Sequence, residues 1–141
     1  MKIPLDASLA MYAHARVSRD ALHRALTHMA GHYLSPAFFA EWSVQNPTRH
    51  FSYVVSEWLA SFHSPKGTLA FRMPVPQDVH KHYFVRWADG TIIDLTAEQF
   101  DDWDKLDYVT SRRASFTLPT PSTRAKVLDA LIETQKWPPY R

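Results

Sequence analysis

His82 and Asp94 are the two residues of this chain whose types and spacing suit the movement of a proton. They flank Ala88-Asp89-Gly90, which reads as a three-residue hairpin loop, a type I turn followed by glycine in the left-handed region. That loop sets Trp87 opposite Thr91, Phe84 opposite Asp94 and His82 opposite Thr96. Residues two apart on a strand share a face, so His82 and Asp94 become diagonal neighbours, roughly 7–8 Å apart in the backbone and within side-chain reach. A two-residue loop would place them on opposite faces, so the pairing depends on the glycine. A carboxylate in this position orients an imidazole and stabilises its charged form, as a general base requires. The pair by itself supplies no nucleophile.

Other constellations are less complete. His80 and His82, with Asp94 nearby, mimic a facial metal triad, and His28 and His32 at helical i,i+4 spacing mimic half a zinc site. Neither closes a ligand set, and eight histidines in 141 residues make chance pairs common. No metal and no other cofactor is expected. Arg112, Arg113, Arg124 and Lys126 could gather a phosphate, yet Arg124 and Lys126 also fit the solvated face of a helix. Five tryptophans and six tyrosines could stack bases, but most fall at core spacing. With 16 Lys+Arg against 14 Asp+Glu the net charge is +2, too small for a polyanion-binding field, so a nucleic-acid partner is not implied. The chain has no cysteine, which excludes disulfides, thiolate zinc sites and a cysteine nucleophile.

Apolar periodicity and cap residues lay out the elements that must hold the pair. Ser18 caps a helix over residues 20–29 that Gly31 should end, and Ser35 with Pro36 starts a short aromatic helix over 37–42. Thr48 is the expected cap of a helix over 49–62, with Phe51, Val55, Trp58, Leu59 and Phe62 as its buried stripe. After the turn signal at 64–67 the period changes, and 69–73, 82–87 and 91–95 read as strands rich in aromatic and β-branched residues. Thr96 should cap a short helical turn through Gln99, and the acidic stretch around Asp101, Asp102, Asp104 and Asp107 reads as a surface loop or distorted helix. Residues 115–118 are a candidate edge strand, and Ser122 caps a last amphipathic helix over 124–132.

Helices, then an antiparallel sheet, then a helix make an α+β architecture in one domain over residues 1–141. No long apolar run and no signal-peptide pattern is visible, so a cytoplasmic protein without a membrane partner is the expectation.

The segment from His82 through the aromatics to Asp89-Gly90, the apolar pair Ile92-Ile93, Asp94-Leu95-Thr96 and Gln99-Phe100 resembles the signature of small YunG-like bacterial and phage proteins, which are papain-like in the NlpC manner. A second block, Ser52-Tyr-Val-Val-Ser-Glu-Trp-Leu59, is similar to the family's helix that begins at its cysteine. The resemblance covers residues 49–100 and implies a papain-like fold, a hydrolase or acyl-transfer site and an amide or peptide-like substrate. It puts the family's cysteine on Ser52, its histidine on His82 and its acidic partner on Asp94. The departure at residue 52 matters, because a papain-like site uses a thiolate–imidazolium pair whereas a serine must lose its proton during attack. Ser52 lies in the first turn of its expected helix, where the dipole favours developing negative charge.

Three explanations stay open: a Ser-His-Asp hydrolase, a degenerate site kept for binding, or a serine introduced to trap substrate. The non-enzymatic class is an interaction protein of the kind phages encode, using the same cleft for a small molecule or a host protein. Plainer roles exist for each residue: Ser52 as a cap-region hydroxyl, His82 as a half-buried strand histidine, Asp94 as a turn former. Gln99 is either an oxyanion donor or a cap of its turn.

Overall fold

Serine caps open three helices of this protein, each by the same local bond. In the structure, a computed structural model that describes residues 1–75, 78–116 and 121–135, the hydroxyls of Ser18, Ser35 and Ser122 accept the amides of Ala21, Phe38 and Ala125. These caps start α2 (Arg19–Tyr33), α3 (Pro36–Glu41) and α5 (Thr123–Thr134). Each satisfies an amide that the helix leaves without an internal partner. The second helix does not stop at Gly31. It runs on to Tyr33, because Met29 and Ala30 are fully buried and tertiary packing outweighs the roughly 1 kcal/mol that glycine costs a helix.

Two helices depart further from the pattern. Helix α1 (Leu5–Ala15) has no counterpart in the sequence reading, since it exposes Leu5 and Leu9 and buries Ser8, Tyr12 and Ala15. Helix α4 (Ser52–Phe62) begins three residues later than expected. Thr48 does not cap it. Its carbonyl instead closes a turn on the Phe51 amide, and His50 adopts a left-handed φ of 68°, which no α-helix can contain. Ser52 is thereby the first helical residue.

The strands are β1 (Leu69–Val75), β2 (Asp78–Arg86), β3 (Ile92–Ile93) and β4 (Arg112–Ala114), in one antiparallel sheet of order β3-β2-β1-β4. The edge strand is thus Arg112–Ala114, ahead of the expected 115–118, of which 117 and 118 lie outside the described residues. The acidic stretch contains a 3-10 turn at Trp103–Lys105.

Alternate residues of β2 feed two cores. Val85 joins Ile93, Leu22, Leu26, Met29, Val55, Trp58, Leu59 and Leu128 in a cluster shared with α2, α4 and α5, while Phe84 joins Ile3, Met73, Ala97 and Leu106. Trp58 and Leu59 are buried as expected, but Phe62 is 42% exposed. The far side of Trp58 is covered by α5 instead, and its indole N–H donates to Asp129 at 3.0 Å. Among the described residues no helix is long and apolar enough to cross a membrane.

Candidate active site

The β2–β3 hairpin has the register that its loop requires. Val85 pairs with Ile93 and Arg86 with Ile92, Gly90 takes φ +92°, and its amide closes the turn on the Trp87 carbonyl at 3.0 Å. Continued one position, that register sets Phe84 against Asp94 and leaves His82 and Asp94 on one face. The side chains meet: His82 Nε2 lies 2.7 Å from Asp94 Oδ2, and both residues are 2% exposed. A carboxylate can only accept, so in the neutral imidazole the proton sits on Nε2 and Nδ1 carries the lone pair. That Nδ1 is buried and has no hydrogen-bond partner.

Asp94 is held by more than its histidine. Tyr108 donates its hydroxyl to Oδ2 at 2.6 Å and Thr96 reaches Oδ1 at 3.4 Å. Burial, the Asp94 charge and this hydrogen bond together push the Tyr108 phenol far above its ordinary range, so it stays a donor. Tyr108 is itself fixed, with its ring edge-on to Phe84 at 5.0 Å and its carbonyl bound by Arg86 at 3.0 Å. From the other side α1 supports the strand end. The Asp94 amide faces Met11 Sδ at 3.3 Å and the Tyr12 hydroxyl donates to the Leu95 carbonyl at 3.2 Å. Phe100 stands edge-on against the His82 ring at 4.8 Å.

Ser52 shares a cleft of about 240 Å³ with His82, His50, Gln99, Phe38 and Phe100. Its Oγ accepts the Tyr83 amide at 3.2 Å, and no hydrogen bond joins it to His82. The amide bond and the start of α4 both favour negative charge on the atom at this position. Gln99 Oε1 accepts the His50 amide at 3.4 Å, and Gln99 lines the same cleft as Ser52. Thr96 makes no cap bond to the turn at Ala97–Gln99, since its hydroxyl is turned to Asp94.

His50 is a cleft residue that sequence reasoning missed. Its Nε2 contacts Glu41 at 2.6 Å and its ring stacks on Phe38 with centroids 4.0 Å apart. The only sequence signal was its place two residues before Ser52. The triad mimic of His80, His82 and Asp94 does not form as a donor cluster among the described residues, and His80 instead stands edge-on to Phe38 at 4.6 Å. His28 and His32 pack ring to ring at 5.5 Å with no third ligand gathered. Arg112 and Arg113 are exposed on the edge strand, and Arg124 and Lys126 are exposed on α5.

Compared with protein-family models, curated proteins and solved structures, the chain matches none.

Proposed function

We propose that the cleft of Ser52, His82 and Asp94 is a papain-like, NlpC-type site for hydrolysis or acyl transfer at an amide or peptide-like bond. The carrying observation is the orientation of His82. Asp94 holds Nε2, which leaves Nδ1 as the imidazole nitrogen without a partner, and His82 and Ser52, the first residue of α4, line one cleft. In the reaction, His82 Nδ1 takes the Ser52 proton as Oγ attacks the carbonyl, and Asp94 balances the imidazolium. The proton then passes to the leaving nitrogen, and water releases the acyl group by the same route in reverse. The NH2 group of Gln99 is the side-chain donor available to the oxyanion.

A second reading rests on the Ser52 hydroxyl. It is bound by Tyr83 rather than by His82, as suits a degenerate site retained for binding. Replacing Ser52 with cysteine separates the site from a chance cluster. Ser52→Cys introduces the chain's sole thiol, which should alkylate well below the unperturbed thiol pKa of about 8.5. Adding His82→Ala should move that pH profile upward. A profile at the ordinary position and blind to His82 would overturn the papain-like reading. Labelling of the unmodified chain at Ser52 by a fluorophosphonate then marks an active serine, and a shifted cysteine profile without such labelling marks the degenerate site.

A further inference from the structure

At the opposite end of α4, about 16 Å along the axis from Ser52, three further donors converge. His63 follows the last residue of α4 and bonds through its amide to the Leu59 carbonyl at 2.9 Å. Asp129 and Glu133 stand one turn apart on α5. One ligand atom from each of the three lies within 4.8 Å of the others. Bonds of about 2.0–2.2 Å to a common ion would hold neighbouring donors about 3–3.5 Å apart, so small side-chain rotations close the set.

Two of the donors are placed from outside the trio by one buried side chain. The indole of Trp58, with 0% exposure, donates to Asp129 Oδ1 at 3.0 Å and so fixes the carboxylate. The same ring packs against His63 with centroids 4.3 Å apart. Contacts of this kind orient metal ligands before the ion arrives.

We propose that His63, Asp129 and Glu133 bind one divalent transition-metal ion of the zinc type, joining the end of α4 to α5. The donor chemistry selects the ion. One imidazole with two carboxylates balances a charge of +2, whereas magnesium and calcium favour all-oxygen sets. Three protein ligands leave a fourth position for water. This site is independent of the Ser52 cleft.

The experiment uses the full chain, stripped of metal by a chelator and titrated with zinc chloride, then with magnesium chloride. Native mass spectrometry should retain one zinc per chain, with a thermal midpoint several degrees higher in excess zinc and unmoved by magnesium. His63→Gln and Glu133→Gln should each weaken zinc binding at least tenfold, while their metal-free midpoints stay near that of the parent. Asp129→Asn keeps an acceptor for the indole and should also weaken binding. His28→Asn with His32→Asn should leave zinc binding unchanged. Failure of the parent chain to retain zinc overturns the proposal. Undiminished binding by His63→Gln and Glu133→Gln, or loss of binding in the His28/His32 variant, overturns it equally.

Discussion

Asp94 and Glu98 stand four residues apart and each meets an imidazole, with a tyrosine hydroxyl in the same network, yet the two regions have opposite characters. Glu98 takes a two-pronged grip from Arg19, with Nε at 3.1 Å from both oxygens and a terminal nitrogen at 2.6 Å. His23 approaches it at 3.6 Å and shares its Nε2 with the Tyr12 hydroxyl. Burial alone would raise the Glu98 carboxyl, but the bonds and charges of His23 and Arg19 outweigh it and hold the carboxyl at about 2. Asp94 has no such guanidinium: it is saturated by His82, Tyr108 and Thr96, and the imidazole beyond it keeps an open nitrogen. The same residue types thus make an anchor where a fixed cation grips the carboxylate, and a candidate reactive centre where one imidazole nitrogen has no partner. Cavity size does not sort them, since the larger hollow, about 880 Å³, lies on the Arg19–Glu98 side.

The sharpest way to break this contrast is to remove each carboxylate. Asp94→Ala strands a buried imidazole nitrogen and the Tyr108 hydroxyl, so it should cost about 3–5 kcal/mol in urea unfolding. Glu98→Gln should cost about 1 kcal/mol at neutral pH, because Arg19 is one-third exposed and recovers water. Equal losses would mean that both clusters are structural anchors.

Acid sharpens the same comparison. A carboxyl held at about 2 against an ordinary 4.5 stabilises the fold above the higher value and loses that contribution as pH falls toward the lower one. Parent stability should therefore decline between about pH 4.5 and 2, and Glu98→Gln should decline less over that window. Parallel curves would show that the Arg19–Glu98 pair does not carry the acid response.

The smallest effect tests the loop that sets the Asp94 face. A Cβ at residue 90 meets no atom within 4 Å, so Gly90→Ala isolates the strain of φ +92° and should cost about 1 kcal/mol. No loss would place that loop outside the machinery that aligns His82 with Asp94.

Much of the candidate site was legible because its first link is local. The interval from His82 to Asp94 is a strand, a three-residue turn and a return, and chain geometry alone decides which faces coincide. The support around it was not legible. Tyr108 lies fourteen residues beyond Asp94 inside an acidic stretch that reads as solvated loop, and reaches the carboxylate because Arg86 and Phe84 draw it back across the sheet. Helix α1 escaped notice because its exposed leucines mask the face that carries Tyr12. The start of α4 was misplaced because Thr48 looks like a cap, and only the left-handed turn at His50 delays the helix to Ser52.

By itself the sequence determined what short-range sterics and bonding decide: the serine caps of α2, α3 and α5, the first three strands, and the glycine-dependent hairpin that puts His82 beside Asp94. Tertiary structure alone decided the contacts whose partners lie far apart along the chain. It turned the Ser52 hydroxyl to the Tyr83 amide, brought His50 and Gln99 into the cleft, and gathered His63 with Asp129 and Glu133 under Trp58. Local geometry is set by a few dihedral angles within one turn or hairpin, whereas these meetings depend on how whole helices settle against a sheet.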